Sequence, residues 1–177
     1  NWIAKNIYRG LQSFRKEKVY DNINYLEKTQ WDTKEELEDI QLKKLKKLLI
    51  TSYENTRFYK RRFDSCKFDP YKFNSLNELN KIPVLTKYQL RQNYADLINN
   101  SITGSFDTDT TSGSTGEPIY LLKDRSFSAF NRATMYRQHK WYGIDIGDKE
   151  ARFWGSALDQ FLFSKEKCNC QVLFYCR

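Results

Sequence analysis

Thr111-Ser112-Gly113-Ser114-Thr115-Gly116-Glu117-Pro118 is the stretch on which the reading of this chain turns. Four hydroxyls and two glycines fill its first six positions. Glycine lets a backbone turn tightly and approach a ligand closely. Hydroxyls and free N–H groups around such a turn can surround phosphate oxygens, as anion-binding nests do. The stretch therefore suits the polyphosphate of a nucleotide. An ordinary Ser/Gly turn is the alternative, but the apolar run Ile119-Tyr120-Leu121-Leu122 follows at once and Glu117-Pro118 gives the loop a fixed exit. Two common nucleotide motifs are excluded. The Gly113 to Gly116 spacing is too short for G-x-x-x-x-G-K-[ST], with Glu117 where its lysine would be, and the run is no G-x-G-x-x-G.

Outward from the loop, Phe106 to Thr110 reads as a half-buried strand and residues 119–122 as its successor. Asp124 is placed to cap a helix over 125–141 carrying Phe127, Phe130, Met135 and Trp141, with Gly143 to stop it. Ala151-Arg152-Phe153-Trp154-Gly155 predicts a third strand entering Ser156-Ala157, and Gly155-Ser156 would border a nucleotide or substrate site. Strand, loop, strand, helix, strand is the start of an α/β domain. Upstream the chain reads as helices. Trp2, Ile3, Ile7, Leu11 and Phe14 recur at helical spacing. Thr33-x-x-Glu36 is a capping box ahead of Leu37, Ile40, Leu45, Leu48 and Leu49, predicting a helix over 34–53. Ser75-x-x-Glu78 is a second box before a short helical turn. Pro83 forces an extended segment, and Thr86-x-x-Gln89 opens a helix reaching Leu97. The expected organisation is a helical region, 1–104, then the start of an α/β domain, 105–167, and a distinct tail, 168–177.

The 177 residues suffice for one good core and carry a formal charge of +8. Lys43, Lys44, Lys46 and Lys47 interleave with Leu42, Leu45, Leu48 and Leu49, as on the polar side of an amphipathic helix. Arg57 to Arg62 alternates with Phe58, Tyr59 and Phe63 in the same manner. Solvated helix faces thus account for most of the charge, and a nucleic-acid partner is not expected. No run approaches the roughly 18 apolar residues of a membrane span. Neither a disulfide framework nor a cleavable signal sequence is evident, so a reducing, cytoplasmic location is expected. Cys168, Cys170 and Cys176 lack the fourth ligand and the C-x-x-C spacing of a zinc site, so no metal site is expected. That run reads as an out-of-frame tail, or else as a short buried strand over 172–175. His139, the single histidine, reads as a surface residue, because acid–base catalysis needs a positioned partner. Trp141-Tyr142, Phe153-Trp154 and Phe161/Phe163 are types that line acyl pockets, yet their spacing reads as core. No catalytic residue can be named.

The glycine loop resembles the phosphate-binding loop of the adenylate-forming superfamily (acyl-CoA synthetases, luciferases and nonribosomal adenylation domains). Its upstream blocks narrow the resemblance. They are Gln41 to Leu49 (QLKKLKKLL), Asn55-Thr56-Arg57-Phe58-Tyr59-Lys60-Arg61-Arg62-Phe63, Ser75-Leu76-Asn77-Glu78-Leu79, and Lys81-Ile82-Pro83-Val84-Leu85-Thr86-Lys87 followed by Leu90-Arg91. In that order they look like the phenylacetate–CoA ligase branch, including CapK-like proteins of capsular polysaccharide biosynthesis. The resemblance covers residues 25 to 165.

The resemblance implies a function. Thr111, Ser112, Gly113, Ser114, Thr115 and Gly116 would cover the β- and γ-phosphates of ATP, bound with Mg. A carboxylate substrate would attack the α-phosphorus and pyrophosphate would leave. The acyl-adenylate would then pass to CoA or, in a CapK-like protein, to a sugar. Many superfamily members carry a lysine just past the proline, where Ile119 stands here. Lys123 and Lys87 are candidates for the counter-charge on charge alone. The superfamily is much longer, so the adenine and ribose contacts, the metal-binding acid and the C-terminal adenylation lysine would lie elsewhere. Opening at Asn1, the chain reads as an N-terminal fragment. A non-catalytic remnant or helical interaction module is the reading from another class.

Overall fold

In the computed structural model, residues 2–15, 17–104, 106–111 and 118–148 are described. In chain order they form α1 (Trp2–Phe14), α2 (Val19–Thr29), α3 (Lys34–Asn55), α4 (Arg57–Ser65), 3-10 turns at Pro70–Lys72 and Leu76–Lys81, α5 (Lys87–Gln92), α6 (Tyr94–Leu97), β1 (Asp107–Thr110), β2 (Tyr120–Lys123) and α7 (Arg125–Lys140). This is a mostly helical chain with a small two-stranded sheet, compatible with an incomplete α/β domain. The expected third strand at 151–155 and the tail at 168–177 lie outside the described residues. By contacts the described residues form two units, one of residues 31–104 and one of those up to residue 30 with those from 106 to 148.

Four helices start where a side-chain oxygen meets an otherwise unpaired N–H. Thr33 accepts from the Glu36 N–H at 3.3 Å, Thr56 from Tyr59 at 3.3 Å, Thr86 from Gln89 at 3.2 Å and Asp124 from Phe127 at 2.6 Å. At Thr33 the box is complete, with the Thr33 N–H donating to Glu36 Oε2 at 2.8 Å. That bond and the Thr33 hydroxyl hold the Glu36 carboxyl below the usual carboxylate range. The Ser75 box differs from expectation. The Ser75 hydroxyl reaches the Asn77 N–H, and Glu78 accepts from Asn74, giving a 3-10 turn. The helix expected from Thr86 to Leu97 breaks at Asn93, whose side-chain amide donates to the Gln89 carbonyl at 2.8 Å. An Asn that bonds local backbone competes with helix continuation.

In the unit of residues 31–104, Leu49, Phe63, Phe68 and Phe73 form the core, with Leu42, Leu45, Tyr53 and Tyr59 packed against it. The end of α4 builds part of that core. Phe68 N–H donates to Phe63 O at 2.9 Å and Lys67 N–H to Asp64 O at 3.2 Å, the two bonds of a Schellman stop. Lys67 takes the left-handed position at φ 54°. The two flanking rings meet with centroids 5.0 Å apart. Arg62, expected on a solvated face, instead binds the Pro83 carbonyl with two N–H groups at 2.6 and 3.2 Å and Val84 O at 2.6 Å. It anchors the extended segment that Pro83 imposes.

In the other unit, α1, α2 and α7 meet around Tyr8, Val19, Ile23, Ala129, Ala133 and Ile146. Ala129 and Ala133 lie one turn apart on α7, where small side chains let α2 approach. The Tyr8 ring stands edge-on to Tyr20 and Tyr136, with centroids 6.1 and 5.8 Å away. Ion pairs Arg132–Glu17 (2.7 Å), Lys140–Glu27 and Lys5–Asp145 tie the helices together. Gly143, at φ 73°, ends α7 as expected. Its N–H donates to Lys140 O, and Ile144 N–H donates to His139 O.

Candidate functional site

The site is built on a hairpin. β1 and β2 pair antiparallel, with Asp107 opposite Lys123, Thr108 opposite Leu122, Asp109 opposite Leu121 and Thr110 opposite Tyr120. One step further, Thr111 N–H donates to Ile119 O at 3.0 Å. The return bond of an antiparallel pair would run from the Ile119 N–H to the main-chain oxygen opposite. Here that N–H donates to the Thr111 side chain, at Oγ1, 3.1 Å away. Thr111 thereby clasps the base of the 112–118 connection with both its backbone and its hydroxyl. One acceptor site of that hydroxyl is engaged, while its O–H hydrogen remains a donor.

Thr111 is the only expected phosphate ligand among the described residues; Ser112, Gly113, Ser114, Thr115 and Gly116 lie outside them. β1 does not follow the half-buried pattern expected of it. All four of its residues are exposed, in a described sheet of two strands. Asp124 fixes the exit of β2 into α7 through its cap, so the hairpin is braced at both ends.

Lys123, a counter-charge candidate, pairs with Asp109 across the hairpin and lies 5.7 Å from the centroid of the Phe127 ring. The Lys123 hydrogen bond, with the Thr110 N–H at 2.9 Å, holds the Asp109 carboxyl below the usual carboxylate range. Ser128 Oγ donates to Asp107 Oδ2 at 3.3 Å. At the open end of the hairpin, Asp107, Asp109, Lys123, Arg125 and Arg132 line a shallow cleft of about 630 Å³. These acids are not among the residues singled out from sequence, although the alternation Asp107-Thr108-Asp109-Thr110 puts both on one face of a strand. Lys87, the other candidate, is an exposed residue at the start of α5, in the unit of residues 31–104.

Two other expectations meet the structure here. His139 is half-buried with its ring edge-on to Tyr136. Trp141 and Tyr142, read as core, are 59% and 81% exposed, and they follow the last turn of α7, with the Trp141 Nε1–H donating to Gln30 Oε1 at 3.1 Å. Phe153, Trp154, Gly155, Ser156, Phe161 and Phe163 lie outside the described residues. Among the described residues no three His, Cys, Asp or Glu side chains gather as a metal site would need, and no helix is long and apolar enough to cross a membrane.

No family model matches the chain. The phenylacetate-coenzyme A ligase of Escherichia coli is 35% identical over 88 residues, which are 49% of this chain and 20% of that enzyme. The phenylacetate-coenzyme A ligase of Thermus thermophilus is 38% identical over 61 residues, 34% of this chain and 14% of that enzyme. The matches thus span a fifth or less of these relatives. At this identity over partial stretches, they support an origin among the adenylate-forming, AMP-producing ligases.

Proposed function

We propose that the chain supplies the phosphate-holding hairpin of an ATP-dependent, AMP-forming carboxylate ligase, acting with Mg and passing its acyl group to CoA. The observation that carries this reading is the clasped hairpin. A stretch rich in Ser, Thr and Gly is held between two paired strands by the Thr111–Ile119 closure, in a chain similar to two phenylacetate-coenzyme A ligases. In the proposed reaction a carboxylate oxygen attacks the α-phosphorus of ATP and the bond to pyrophosphate breaks. Negative charge gathers on the departing oxygens, and the loop serves by positioning and by donating hydrogen bonds to them, not by moving protons. Ser112, Ser114 and Thr115 supply hydroxyl donors, and Gly113 and Gly116 let the backbone approach the phosphates. The adenine and ribose contacts and the adenylation lysine belong, on this proposal, to sequence beyond these residues.

The test is isotope exchange between pyrophosphate and ATP in the intact protein that carries this chain. Ser114→Ala together with Thr115→Ala is expected to slow exchange by about an order of magnitude or more, the scale of losing transition-state donors. Unchanged exchange in that double variant would remove the phosphate-loop assignment.

A further inference from the structure

Helix α1 presents an apolar stripe that no described residue covers. Ile3, Ile7, Leu11 and Phe14 follow the spacing of one helical face, and they are 68%, 57%, 46% and 86% exposed. Trp2, at the start of the helix, is 77% exposed. A neighbouring side of the helix is the one that packs, with Tyr8 and Gln12 buried. Large apolar side chains gathered this way on a short helix mark an interaction surface rather than scatter.

The charge of the chain's first eighteen residues is one-sided. Among residues 1–18 the charged side chains are Lys5, Arg9, Arg15, Lys16, Glu17 and Lys18, five cations to one acid. Glu17 is neutralised by Arg132, while Lys5 pairs with Asp145 and Arg9 lies over the Tyr20 ring at 5.0 Å. Asp21 on α2 is the next acid along the chain. The Lys5–Asp145 pair also sets the turn after α7 beside the first half of α1, and Trp141 and Tyr142 at the start of that turn are exposed.

We propose that α1 docks this unit on an anionic lipid surface, lying in the plane of the interface with its apolar stripe among the acyl chains. Isoleucine, leucine and phenylalanine on one face with lysine and arginine elsewhere is the pattern of interfacial helices. Tryptophan and tyrosine favour the headgroup level. A second copy of the chain fits less well. A 13-residue helix is about 20 Å long and about 10 Å wide. Its face projects on the order of 200 Å², well under the roughly 800 Å² each partner gives to a stable pair.

The test is co-sedimentation of the whole chain with phosphatidylcholine–phosphatidylserine vesicles and with phosphatidylcholine vesicles. Binding to the anionic vesicles, weakened by added salt and at least about tenfold weaker for Ile7→Glu with Leu11→Glu, is expected. Both positions are exposed, and circular dichroism checks that the variant keeps its helices. Should it lose them, the decision rests on the wild-type chain's preference for phosphatidylserine and on a blue shift of tryptophan emission lost in Trp2→Phe. Wild-type chain left in the supernatant, or equal binding by the folded variant, overturns the proposal. A self-association abolished by Ile7→Glu and Leu11→Glu, without vesicle binding, assigns the stripe to a second copy and overturns it too.

Discussion

Thr111 shows how one side chain can serve a loop without being read as doing so. Its hydroxyl stands first in a run of candidate phosphate donors, and sequence offers no means to separate it from Ser112, Ser114 and Thr115. The bond from the Ile119 N–H to Oγ1 gives it a second duty, closing the hairpin. Thr111→Val is expected to weaken that closure by about 1 kcal/mol, the net worth of one hydrogen bond, and Thr111→Ser to keep it. Amide hydrogen exchange at Ile119 reads this as about fivefold faster opening in the valine variant only. Lys67 is the other informative residue. A non-glycine side chain at φ 54° carries a steric penalty of about 1–2 kcal/mol, part of which glycine gives back as unfolded-state entropy. Lys67→Gly is therefore expected to stabilise the protein by about 0.5–1 kcal/mol in urea unfolding, with the Phe63–Phe68 contact retained.

At the scale of elements, the legible parts are those whose signals are local. Thr33 with Glu36, Thr86 with Gln89, Asp124 and Gly143 each fix a helix end within four residues, and each acts where the sequence places it. Helix α2 does not stand out in sequence, because Val19, Ile23 and Leu26 carry its apolar spacing between Tyr20, Asn22 and Asn24, without a capping side chain at Lys18. The role of Arg62 is hidden as well, since its partners are carbonyls of Pro83 and Val84, distant in sequence. The tie between α1 and the turn after α7 has a pH dependence. The hydrogen bond to Asp145 raises the Lys5 pKa. For Asp145, burial pushes upward, but the Lys5 bond, the Ile146 N–H and the charges of Lys5 and Lys140 outweigh it and hold the carboxyl below its usual range. A depressed carboxylate stabilises above its unfolded value, about 3.9, and that contribution fades as pH falls through the lower folded value. A raised lysine stabilises below about 10.4, and that contribution fades as pH rises through the higher folded value. Both side chains are over a third exposed, at 45% and 39%, so the effect stays under about 1 kcal/mol. Melting temperature is expected to fall at both edges of this window, and Asp145→Asn to flatten both falls. Equal slopes in wild type and variant would contradict the pairing.

For the whole molecule, the helical character of the first hundred residues and the hairpin are legible, because periodicity and turn chemistry report them directly. Which helices pack together is not. Sequence order puts α1 and α2 with the helices that follow, yet they pack on α7 through Tyr8, Ile23 and Ala133, contacts between positions more than a hundred residues apart. The exposed stripe on α1 and exposed Trp141 escape for a related reason, since periodicity tells which residues share a face and not what covers it. The candidate site shares this division. Its loop residues stand out by composition, while the Lys123–Asp109 pair that meets one expected counter-charge depends on strand register. The measurement that bears most directly on the proposed function is carboxylate-dependent exchange of labelled pyrophosphate into ATP by the intact protein carrying this chain, run across a panel of aryl and alkyl acids. Exchange that requires one of these acids and Mg is the predicted result. An intact, folded protein that exchanges no pyrophosphate with any acid in the panel would contradict the account.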